Sequence, residues 1–345
     1  MGGSRARWLM GAMGTLMLLC VWPTMPAHAI DDTTPPGAFD IVADAGDFQT
    51  GYSVASPYTN IYVSWQTAID ESAVTYEVTV NGQVVRVVTD AVANSTVTKR
   101  IEVPDGVSSV IVTAIDASGN RQDATHSLDV VVDKISPVFT SAPRVFLRPG
   151  PVTAEGYPMR YTWTGTDEGT GLVAVRFGPN AECCFSASPL LTHFDFTIEP
   201  RSQLVWRIWL VDGVGRVVKT PRSAYVDPVP WSSTSHSEQW RRSDDAAALD
   251  GDEWVSTKSG DRFKVKAEGK SIGWVTSTGP KRGRADVYMG GRLVDTVNLY
   301  SPERRPARVV WAHLLPRTGD TTVTIVNRSP AGRRLIGVDA LLVQN

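Results

Sequence analysis

The side chains best suited to chemistry in this 345-residue chain are aromatic rings set beside polar loops. Trp240 and Trp254 bracket the loop from Arg241 to Glu253, and Tyr300 adjoins Ser301-Pro302-Glu303-Arg304-Arg305. A flat ring offers an apolar face to a pyranose, and neighbouring polar groups can bond its hydroxyls. Trp240, Trp254, Tyr300 and Arg304 are therefore the expected ligand contacts, and a carbohydrate is the ligand they suit. Trp274, inside Ser271-Ile272-Gly273-Trp274-Val275, reads as a core residue of a strand.

Other charged groups carry less. Asp244, Asp245, Asp250, Asp252 and Glu253 crowd one loop, and hard cations want several oxygens, but the spacing fits no EF-hand loop. The loop is read as a solvated acidic turn, and neither a metal ligand set nor a cofactor is assigned. Basic residues cluster at Lys281, Arg282 and Arg284, at Arg304, Arg305 and Arg308, and at Arg333 and Arg334. They could meet acidic glycans by bidentate pairing, although turns attract solvated charge in any domain.

No catalytic constellation emerges. The chain lacks Gly-x-Ser-x-Gly, His-Glu-x-x-His and a phosphate loop, and no cysteine has a convincing base partner. Carboxylate pairs at Asp70-Glu71 and Asp167-Glu168 recur at equivalent places, which turn geometry explains better than acid-base work. The expectation is a noncatalytic protein. With 34 Lys and Arg against 36 Asp and Glu, a nucleic-acid partner is not expected. The charge is uneven all the same: acids prevail over residues 30–229 and bases over 230–345, as separate domains would show.

The elements that position these residues begin after an export signal. Arg5 and Arg7 precede an apolar run from Trp8 to Trp22, and Ala27-His28-Ala29 has the small-x-small pattern of a cleavage site. Residues 1–29 are read as a signal peptide and the mature protein as secreted, with wall association as a further option and no membrane span after cleavage. Leu18 and Leu19 ahead of Cys20 disfavour lipidation. Cys183 and Cys184 then remain, either as a vicinal disulfide or as two thiols.

Residues 30–229 repeat at a period of about a hundred residues, which marks tandem domains and no solenoid. Asp32-Thr33-Thr34-Pro35-Pro36 opens one copy and Asp133-Lys134-Ile135-Ser136-Pro137 the next; Trp65 and Trp163 sit at matching places. Each copy ends in a strand-like run and an Asp turn, at Asp116-Ala117-Ser118-Gly119-Asn120 and Asp212-Gly213-Val214-Gly215. Asn81-Gly82 between Val-rich runs is a hairpin signal, because both central residues of a type I′ turn need positive φ. Asp227-Pro228-Val229-Pro230 reads as a short stiff linker. Beyond it, alternating runs and the glycine pair Gly290-Gly291 give the strand inventory of a jelly roll.

On these residues, the two repeats resemble bacterial fibronectin type III and Ig-like modules. Ile272-Gly273-Trp274-Val275, Gly279-Pro280, Val294-Asp295-Thr296-Val297 and Val338-Asp339-Ala340 make the last region similar to galactose-binding-like domains of the carbohydrate-binding-module type. The resemblance implies an all-β chain of three β-sandwich domains: Ig-like over 30–133, Ig-like over 134–229 and a jelly roll over 230–345. It further implies spacers that carry a module for polysaccharide or cell-wall glycan. The rival expectation is an adhesion protein that contacts a surface protein through sheet edges or the cysteine loop.

Overall fold

The computed structural model describes residues 32–42, 53–179, 185–228 and 234–345. The expected signal peptide and Cys183-Cys184 lie outside them. The described residues form strands and turns without a helix, and so no helix is long and apolar enough to cross a membrane. The protein is all-β, built from sandwiches in tandem.

The first sandwich pairs the sheet of Ile41–Val42, Asn60–Gln66 and Thr96–Glu102 with a larger one in which Gly106–Ile115 runs between Thr75–Val80 and Leu128–Val132. Trp65 sits on the central strand of the smaller sheet, wholly buried against Tyr76, whose hydroxyl accepts the Ala68 amide at 2.7 Å. The expected hairpin is present: Asn81 and Gly82 have φ of 50° and 78° and join Thr75–Val80 to Gln83–Val88. The second sandwich repeats the plan. Trp163 lies on Tyr157–Thr166, the middle strand of a three-stranded sheet, and packs edge-on to Tyr161.

The second and third regions join differently from the expectation. Asp227-Pro228, read as the start of a stiff linker, is strand: Val217–Tyr225 pairs with Gln203–Val211, and Val226, Asp227 and Pro228 go on to face Gln344, Val343 and Leu342 of the jelly roll. One 11-stranded sheet thus runs through both regions. Pro228 lacks an amide donor, but a proline at the end of a ladder removes only a terminal bond.

The strand Ala340–Gln344 explains how two cores share this sheet. It lies between Val217–Pro228 and Arg262–Thr278 and is buried throughout. Successive side chains point to opposite faces, so Ala340 and Leu342 join the core around Trp163, while Leu341 and Val343 join the core around Trp274. This double burial is why Ala340-Leu341-Leu342-Val343 reads as a continuous apolar run instead of alternating. The jelly roll is closed by a second layer of Arg241–Asp244, Asp252–Ser256 and Ile336–Val338.

Candidate binding site

A cleft of about 610 Å³ opens at one end of the jelly roll, between the turn at Asp244 to Ala246, the end of Arg262–Thr278 with its following turn, and Arg304. Its walls are polar and charged. The Arg304 guanidinium pairs with Asp245, and the Arg282 guanidinium with Glu253. Both arginines belong to the basic turns that the sequence displays, and both acids to the acidic loop. Asp245, Asp252 and Glu253 are therefore distributed among separate guanidiniums, with Arg242 taking Asp252 at 2.6 Å.

The two ion pairs differ in setting. Arg304 is 57% exposed, so its pair is solvated and adds little to stability. Burial would lift the Asp245 carboxyl, but the Arg304 guanidinium and the Ala247 amide outweigh it and hold it below the usual carboxylate range. Arg282 and Glu253 lie beneath, neither side chain more than 7% exposed. Arg282 also donates to the Ser277 hydroxyl at 2.5 Å, and Glu253 accepts from Thr276 at 3.2 Å. A Cβ on Gly337 would come within 2.3 Å of Glu253 Oε2 and 2.4 Å of Arg282 Nη1, so only glycine lets this strand pass the pair.

Asp339, on the neighbouring segment, is buried and has its carboxyl pushed up to about 7. Burial is the main cause; repulsion from Glu253, Asp250 and Asp245 adds to it, and the Leu249 amide, 3.1 Å from both oxygens, opposes it.

The four expected contacts separate. Arg304 lines the cleft. Tyr300 bridges to Gly279, a lining residue, and its ring is 42% exposed, with the Arg333 guanidinium over it at 4.3 Å. Trp254 is next to Glu253 on Asp252–Ser256 and so faces the other way, where its partners are His236, at 4.2 Å between centroids, and Phe263. Trp240 requires correction as a ligand contact: it is 3% exposed and packs edge-on to Phe263 in the core. Its position beside a polar loop gave the expectation, but the ring is turned into the core. Glu253, Arg282 and Asp339 were not singled out as contacts, because a buried ion pair has no local pattern; Glu253 next to an apolar strand residue was the one available signal.

No protein-family model matches this chain, and neither does any curated protein sequence. Among solved structures, fibronectin(III)-like modules of Clostridium thermocellum CbhA match at 17% identity over 53% of this chain and 90% of theirs, with a TM-score of 0.34. A Ca²⁺-stabilized, ice-binding adhesin of an Antarctic bacterium matches at 13% identity over 86% of this chain and 74% of its own, with a TM-score of 0.32. The CBM36-1 domain of a xylanase from the hindgut metagenome of Trinervitermes trinervoides matches at 17% identity over 34% of this chain and 94% of its own, with a TM-score of 0.26.

Proposed function

We propose that this is an exported, noncatalytic protein that binds extracellular or cell-wall carbohydrate in the jelly-roll cleft, with the two Ig-like sandwiches as spacers. The observation that supports it is the pairing of guanidinium and carboxylate groups along a cleft lined by Gly279, to which the half-exposed Tyr300 is bridged. Such a wall supplies donors and acceptors for hydroxyls, and the ring supplies an apolar face. Binding would proceed by hydrogen bonding and stacking with no covalent step. The test is retention of the purified chain on insoluble polysaccharides, wall material and a glycan array, with salt varied. Saturable binding that is lost in Arg304→Ala and Tyr300→Ala, and retained in Trp254→Ala, supports the cleft. Retention on no glycan overturns it.

A second reading has its own observation. Gln83–Val88 is the edge strand of its sheet and exposes Val84, Val85 and Val87. An open edge with apolar side chains is a template for strand addition by a protein partner. Capture of a purified surface protein, abolished by Val85→Lys, would favour adhesion over glycan binding.

A further inference from the structure

Where the first sandwich passes into the second, carboxylate oxygens of Asp133, Asp167 and Asp212 lie within 4.8 Å of one another. Asp133 follows the last strand of the first sandwich, and its amide donates to the Ser56 carbonyl at 3.0 Å. Asp167 and Asp212 come from two turns of the second sandwich. Asp212 is 1% exposed and Asp133 3% exposed.

Local hydrogen bonds account for four of these six oxygens. Asp212 Oδ1 accepts the Val214 and Arg216 amides, Asp167 Oδ2 accepts the Gly169 and Gly171 amides, and Asp133 is bonded by Ile135 and by the Thr170 amide and hydroxyl. Asp212 Oδ2 and Asp167 Oδ1 are buried and have no donor among the described residues. Gly169 keeps the space open: a Cβ there would lie 2.1 Å from Asp133 Oδ1.

The first repeat is an internal control. Its Asp116 stands where Asp212 stands, but the Asn120 side-chain Nδ2 donates to Asp116 Oδ2 at 2.8 Å, the Asn120 backbone amide donates to Oδ1, and no oxygen is left bare. At the matching place the second repeat has Arg216, whose guanidinium is turned to the Lys134 and Pro57 carbonyls. The charge of Arg216 acts on Asp133, but its hydrogen bonds go to backbone carbonyls and not to the two bare oxygens. Buried carboxylates need a counter-charge, and an unpaired buried oxygen calls for an ion or water.

We propose that Asp133, Asp167 and Asp212 bind a calcium ion that fastens the first sandwich to the second. Three carboxylates with room for carbonyl or water oxygens suit calcium, whereas magnesium keeps most of its waters and takes one or two carboxylates. The ion would sit far along the chain from the acidic loop at Asp244 to Glu253.

The test uses the purified chain stripped with a chelator. Calorimetric titration with CaCl₂ should show one site, and calcium should raise the thermal midpoint by several degrees. Asp212→Asn and Asp167→Asn should each weaken binding at least about tenfold, since affinity follows ligand charge. Asp70→Asn, at the equivalent turn of the first repeat, should leave it unchanged. The Asp167→Asn carbonyl can still accept the turn amides, so its fold is kept, and circular dichroism checks this. The proposal is overturned if neither heat nor a midpoint shift appears up to about 10 mM calcium, if both variants bind like the parent, or if magnesium binds as tightly.

Discussion

Arg282 donates to Glu253 across two layers of the jelly roll, from the turn after Arg262–Thr278 to the strand Asp252–Ser256, with both side chains shut from solvent. The pair forms the floor of the cleft whose rim is the exposed Arg304–Asp245 pair. An exposed guanidinium thus lines the same cleft as a buried one.

Removing one member of the buried pair should be costly, because it strands the other charge. Glu253→Ala should lose about 3–5 kcal/mol, whereas Glu253→Gln combined with Arg282→Met should recover much of the loss. Urea denaturation of the three chains checks this. Equal midpoints for parent and Glu253→Ala would mean that the pair is not desolvated.

Stability should also respond to pH through Asp339. Its carboxyl titrates at about 7 in the folded protein and near 3.9 in an unfolded chain. Between those values the folded state holds a proton that unfolding releases. Stability therefore falls as pH rises through that window and levels off above it, by about 4 kcal/mol at most. Asp339→Asn, which still accepts the Leu249 amide, should gain on the parent as pH rises, by about 1.5 kcal/mol at pH 5 and about 4 kcal/mol at pH 8. Parallel stability curves for the two chains would refute the assignment.

Trp240 and Tyr300 should part company under alanine substitution. Trp240→Ala empties a core site and should cost about 3–5 kcal/mol. Tyr300→Ala removes a half-exposed ring and its contact with Arg333, a loss of about 1 kcal/mol or less. Thermal unfolding separates the two, and the order of the midpoints is the outcome to check.

Truncation should reveal the shared sheet. A fragment of residues 230–345 exposes Val275, Val309, Ala340 and Leu342, which pack in the core of the second sandwich. Each costs about 1.5–3 kcal/mol when uncovered. The fragment should aggregate or bind a hydrophobic dye, and residues 134–345 should fold. A monomeric, cooperatively unfolding 230–345 fragment would contradict this.

Much of the architecture was legible from local signals. Trp65 and Trp163 at one period, the positive φ demanded by Asn81-Gly82, and the apolar run around Trp274 each report on a few neighbouring residues, and each is found as expected. What was hidden depends on distant partners. Two prolines beside Asp227 signal a break, and only the arrival of Leu342 and Val343 makes that segment a strand. Trp240 carries no mark of whether its loop folds over or away from it. The three aspartates at the first junction looked like turn residues because they are turn residues; the difference lies in Asn120 and Arg216, which occupy the same place and satisfy different atoms.

The strand shared by the two cores imposes an order on how the molecule is made. Val217–Pro228 finds its first partner next to it in sequence but waits for Leu342 to Gln344 to obtain the second. About 110 further residues must be polymerised in the interval, roughly 5–20 s at ordinary rates of synthesis. Throughout that time the second sandwich has a raw edge and lacks part of its core. Because Ala340 and Leu342 complete one core and Leu341 and Val343 the other, the second sandwich and the jelly roll reach the native state together.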